Sequence, residues 1–101
     1  MQAARVVGPG RVVVEEVQTP SLTGPDQVLV HNLVSTICGS DVHIVYGAPV
    51  GDGNRPGYPG HESVGVVADS SDPAYSPGDL LLAVPNLAHA GGFAEYQLLP
   101  A

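Results

Sequence analysis

No lysine and no tryptophan occur in the 101 residues, there is one cysteine, and three arginines face ten acids. A formal net charge of −7 repels phosphate backbones and anionic membrane surfaces, which excludes nucleic-acid and membrane-surface binding as main activities. A single cysteine cannot close an intrachain disulfide, and this fits a reducing compartment. Charged residues make up only 13% of the chain and hydrophobic ones 44%, so a solvated, disordered polymer is excluded. No apolar run approaches membrane-spanning length, and the start MQAARVV has neither a signal core nor a cleavage pattern. A soluble cytoplasmic protein is expected. No internal repeat or low-complexity run is found.

What the chain does have is glycine and proline, thirteen and ten respectively, the mark of a turn-rich β architecture of one domain. Residues 3–7 and 11–17 read as two strands joined at Gly8-Pro9-Gly10, with Glu15-Glu16 at a solvated end. After a loop from Thr19 to Asp26, Val28 to Ile37 alternates: Val28, Val30, Val34 and Thr36 on one face, Leu29, Leu33 and Ile37 on the other. Apolar residues on both faces predict burial on both sides. His31 and Asn32 interrupt this strand, and His31 reads as a half-exposed or hydrogen-bonded strand residue. A short helix capped by Ser40 or Gly39 is predicted through about Tyr46. Gly47 to Pro59 is a Gly- and Pro-dense surface loop. Strands follow at 61–68, 80–84 and 93–99, with turn material between them. Six or seven strands and one helix make a small barrel or sandwich, mainly β.

Chemistry is concentrated in two places. Ile37-Cys38-Gly39-Ser40-Asp41-Val42-His43 holds the lone thiol with a hydroxyl, a carboxylate and an imidazole; Gly60-His61-Glu62 opens a later strand. Zinc accepts thiolate, imidazole and carboxylate, and Cys38, His61 and Glu62 supply one of each. Cys38 precedes a helix N-terminus, which favours its thiolate. Asp41 is placed to orient His61. Ser40 and His43, three residues apart, share a helix face and form a route by which a proton leaves. That set suits oxidation of an alcohol, with hydride passing to a cofactor. Each residue also has a plainer reading: Cys38 as packing, Ser40 and Asp41 as caps, His43 as a surface residue, and His61-Glu62 as a solvated strand start. The residues alone leave both readings open.

Taken with Pro59-Gly60-His61-Glu62-Ser63-Val64-Gly65-Val66-Val67, Pro77-Gly78-Asp79 and Gly92-Phe93-Ala94-Glu95-Tyr96, the first cluster resembles the zinc-dependent alcohol dehydrogenases of the medium-chain dehydrogenase/reductase family. The resemblance runs in order along essentially the full chain. It implies a GroES-like, partly open β-barrel with one short helix after Cys38, the N-terminal (catalytic zinc) domain of such an enzyme. It also implies one catalytic zinc on Cys38 and His61, with Glu62 as an alternating or outer ligand. Asp41 matches the residue that orients the zinc histidine, and Ser40 and His43 match the proton relay. The implied substrate is a small alcohol or polyol, with Gly39-Ser40-Asp41 resembling the polyol and threonine dehydrogenase branch; the implied assembly is a homo-oligomer of the full-length enzyme.

Departures from the family pattern are equally legible. Between Gly78-Asp79 and Gly91-Gly92 lies only a short segment without cysteine, so no structural zinc is expected, and His89 within it reads as an exposed loop residue. The segment Gly78-Asp79-Leu80-Leu81-Leu82 lacks the family's usual basic residue after the aspartate. Gly51-Asp52-Gly53 runs into Asn54-Arg55-Pro56 with no strand before it, so the chain holds no dinucleotide fingerprint. NAD or NADP would therefore bind a Rossmann domain absent from these residues, and a further zinc ligand would also lie elsewhere. The reading is a fragment or part of a zinc-dependent NAD(P) alcohol dehydrogenase that is not competent alone. A zinc-free reductase relative is a lesser reading, opposed by the ligand set. The competing reading from another class is a stand-alone GroES-like binding or assembly module, with 47–59 as a contact loop. Sedimentation separates these: the enzyme-part reading expects no ring, and a seven-membered ring would favour the module.

Overall fold

A glycine-bearing turn sets the first element. In the computed structural model, which describes residues 1–47 and 55–101, β1 (Gln2–Gly8) and β2 (Arg11–Glu16) pair antiparallel as a hairpin. Gly10 takes φ +68°, a conformation that favours glycine, and a Cβ there would lie 2.6 Å from the exposed Tyr46 ring. Its N–H donates to the Val45 carbonyl at 2.8 Å, docking the hairpin tip on the helix α1 (Gly39–Tyr46). At the other end Arg5 pairs with Glu15, and Glu16 meets the N-terminal ammonium at 2.9 Å.

The second sheet has four antiparallel strands. Its order is β5 (Leu80–Ala83), β4 (Ser63–Ser70), β3 (Gln27–Ser35), β6 (Tyr96–Pro100). Two sheets and one helix give the mainly β class expected from the turn-rich sequence. The sheets are tied where Ala3 bridges Ala94 and the Ala4 N–H donates to the Phe93 carbonyl at 2.8 Å.

Burial differs from the sequence expectation for β3. Val28 and Val30 turn inward with Val67, Ala83, Leu99 and the half-buried Leu81. One face of the sheet is thus covered, and the strand is not buried on both sides. Register shifts beside Leu29/Val30 and Asn32/Val34 break the alternation, so Leu33 (54%) and Val34 (61%) stay exposed, and Ile37 (80%) lies past the strand end. His31 is exposed and stacks on Tyr96, ring centroids 4.7 Å apart.

Element ends also move. β3 stops at Ser35, β4 starts only at Ser63, and β6 starts at Tyr96. His61 and Glu62 therefore lie just before β4, while residues 93–95 are linked to β1 through single contacts. The helix N-cap is Cys38, not Ser40 or Gly39. The loop expected over 47–59 lies partly outside the described residues. Its end is no surface loop: Gly57, Tyr58 and Pro59 are buried. His89 is exposed, as read.

Gly65 lies in β4 opposite Asn32. A Cβ there would stand 2.4 Å from Val30 Cγ1 and 2.6 Å from the His31 carbonyl oxygen, in the middle of the core. Backbone cannot yield as a side-chain tip can, so overpacking is expensive here. Gly65→Ala is expected to destabilise the fold by about 2–3 kcal/mol, read as a lowered midpoint in denaturant unfolding; an unchanged midpoint would contradict this packing.

Candidate metal centre

The chain leaves β3 and reaches Cys38 in extended conformation, φ −88° and ψ 153°, at the mouth of the helix. Asp41 then closes the cap. Its carboxylate Oδ2 accepts from the Cys38 N–H at 2.8 Å, and its own N–H donates to the Cys38 carbonyl at 2.9 Å. The second carboxylate oxygen has a different use. Asp41 is buried, 3% exposed, and Oδ1 lies 3.3 Å from His61 Nδ1 without a hydrogen bond among the described residues. The same nitrogen lies 2.9 Å from the Pro59 carbonyl oxygen. A carbonyl can only accept, so the Pro59 contact assigns the proton to Nδ1, with the Asp41 charge beside it, and leaves Nε2 with a free lone pair.

His61 and Glu62 arrive from a segment locked by backbone contact. Gly57 adopts φ +85°, and a Cβ on it would lie 2.6 Å from the Gly91 carbonyl oxygen. A Cβ on Gly60 would lie 2.6 Å from the Phe93 nitrogen. The Gly92 N–H donates to Gly60 at 2.8 Å, and the Phe93 N–H to Gly57 at 3.1 Å. The resulting site brings one donor atom each of Cys38, His61 and Glu62 within 4.8 Å of one another. Ligand atoms around a tetrahedral zinc are about 3.3–3.7 Å apart, so roughly an ångström of side-chain rotation closes the set. The donor chemistry and the oriented imidazole fit zinc.

Electrostatics point the same way. The Ser40 hydroxyl donates to Cys38 Sγ at 3.4 Å. That bond, then the Ser40 N–H and the neighbouring His61, hold the thiol below its ordinary range, against smaller opposition from burial and the Glu62 charge. His61 is held above its ordinary range, first by the Pro59 carbonyl and further by Cys38 and Asp41, while burial opposes this. Ser40 thus faces the sulfur. His43 is exposed on the same helix, and no hydrogen bond joins it to Ser40 among the described residues.

Sequence reasoning missed three supports. Arg55 donates to the Leu87 and Ala90 carbonyls and lies 4.9 Å over the Tyr58 ring, clamping segment 87–90 onto the turn that delivers His61. Ser63, directly after Glu62, is buried in a network: Gln97 Nε2 donates to its hydroxyl at 2.8 Å and to Asn32 Oδ1 at 2.6 Å. Polar residues inside apolar strands were the available signal. Thr36 donates to the Glu62 carboxylate at 2.9 Å.

Known proteins resemble this chain in sequence and in fold. Residues 24–101 match the family described as alcohol dehydrogenase GroES-like domain. An alcohol dehydrogenase of Cupriavidus necator is 43% identical over 68 residues, 66% of this chain and 18% of that protein. Galactitol-1-phosphate dehydrogenase of Escherichia coli superposes with TM-score 0.84 at 26% identity, covering 99% of this chain and 36% of the other. A zinc-binding dehydrogenase of Sinorhizobium meliloti 1021, solved with NADP, gives TM-score 0.78 at 28% identity, covering 98% and 36%. The chain spans about a fifth of the length of the curated relatives it matches.

Arg55→Ala is expected to release segment 87–90. Loss of charge-assisted bonds at a half-exposed site costs about 1–2 kcal/mol, with faster amide exchange at Gly92 and Phe93. Unchanged exchange there would show that the clamp does not hold the segment. Lysine cannot reproduce the fork, so Arg55→Lys should behave like the alanine variant.

Proposed function

This chain belongs to the alcohol dehydrogenase GroES-like domain family, and we propose that it carries the zinc-holding part of an NAD(P)-dependent alcohol or polyol dehydrogenase. The observation that carries the proposal is the convergence of a thiol, an imidazole and a carboxylate from two separate segments within 4.8 Å. Its relatives act in the same field, an alcohol dehydrogenase and a galactitol-1-phosphate dehydrogenase among them.

In this reading Cys38, His61 and Glu62 hold one catalytic zinc. Zinc bound there supplies Lewis acidity to a substrate hydroxyl oxygen. The chain's own residues do the rest. Asp41 and the Pro59 carbonyl fix the His61 ring so that Nε2 stays a donor. The Ser40 hydroxyl bonds the Cys38 sulfur, which favours its thiolate, and would accept a substrate hydroxyl proton as it hands its own on to His43. His43, one turn further along the helix and exposed, passes that proton to solvent after rotation of both side chains. The nicotinamide cofactor is assigned to a Rossmann domain outside these residues, with a further zinc ligand also from outside. No structural zinc is assigned.

Two measurements test the reading. Zinc competition against a chromophoric chelator should show Cys38→Ser losing affinity by about 100-fold or more; unchanged affinity would sink the metal assignment. The 101-residue chain alone should give no alcohol-dependent NAD(P) reduction. Turnover by it would overturn the placement of cofactor and final ligand elsewhere.

A further inference from the structure

Thr36 holds Glu62 twice. Its N–H donates to the Glu62 carbonyl at 2.9 Å, and its hydroxyl donates to Glu62 Oε2 at 2.9 Å. The same residue stands two positions before Cys38, so one strand exit delivers a donor atom and restrains another donor. Nothing else competes for this role among the described residues. The two side chains share an open cleft of about 270 Å³ whose other walls are Ser63, Val34, Val64, Leu82 and Val84. The Ser63 hydroxyl is engaged with Asn32 and Gln97.

We infer that Thr36 is a positioning residue for Glu62, holding its carboxylate in the donor set as a one-oxygen ligand; this rests on the zinc reading above. A carboxylate coordinates through one oxygen or two. With Oε2 accepting from Thr36, the other oxygen is the one left unengaged, and a glutamate side chain otherwise free to rotate is fixed near Cys38 and His61. The backbone bond uses only the Thr36 N–H, which valine and serine both keep. The hydroxyl can therefore be removed while the strand exit keeps its path.

The test compares Thr36→Val with Thr36→Ser in protein loaded with cobalt(II), whose visible absorption reports the number and kind of ligands. Thr36→Val keeps the β-branch and loses the donor. It is expected to bind zinc about tenfold more weakly, the lower end for an outer-shell partner because the bond is exposed. Its cobalt bands should shift as those of Glu62→Gln do, with the unfolding midpoint unchanged. Thr36→Ser should restore both. Unchanged bands and affinity in Thr36→Val, or tighter binding, would overturn the inference. Should Glu62→Gln itself change nothing, Glu62 is not a ligand and the inference fails while Cys38 and His61 stand. Should Cys38→Ser also change nothing, the failure lies in the zinc reading.

Discussion

The interaction on which the rest depends is backbone against backbone: the turn 57–60 lying in the crook of Gly91-Gly92-Phe93. Cβ atoms on Gly57 or Gly60 would stand 2.6 Å from main-chain atoms of that segment, so two glycines are required by contact alone. The junction also serves the global fold. The Gly57 N–H donates to the Ala4 carbonyl, and the Ala4 N–H to Phe93, which joins hairpin, turn and second sheet at one point. His61 follows this point directly. A side chain on a free loop would sample many positions; here the backbone that carries it is fixed by the fold itself.

Asp41 is the electrostatic counterpart of that junction. One carboxylate oxygen caps the helix at Cys38 and the other faces His61. Helix formation and ring orientation are thereby coupled through one buried side chain. A neutral glutamine at this third helical position would close the same capping box but would present no second anionic oxygen to the imidazole. The choice of aspartate is thus set by the site as much as by the helix.

How much of this was legible follows from what each contact depends on. The strands, the hairpin turn and the helix after Cys38 were readable because alternation, Gly-Pro-Gly and a capping pattern act within a few residues. The donor residues were legible as types, and their convergence was not, because it rests on the glycine junction between segments thirty residues apart. Leu33 and Val34 were misplaced for a related reason: bulges in β3 depend on partner strands that alternation does not encode. Arg55, Thr36 and the Asn32–Ser63–Gln97 network were missed because each acts across the chain, and an isolated polar residue in a strand carries no address.

Charge gives the last link. Arg5 is paired with Glu15, Arg55 is spent on main-chain carbonyls, and Arg11 opens the second strand at the hairpin turn. Lysine is absent altogether. The described residues therefore set no arginine or lysine against the Cys38–His61–Glu62 cluster, whose own charge is anionic once the thiol ionises, and the chain as a whole carries −7. A divalent cation is drawn into such a field, whereas the phosphates of a dinucleotide are repelled by it. The same composition that excluded nucleic acid at the outset thus favours a divalent cation over an anionic ligand at this cluster.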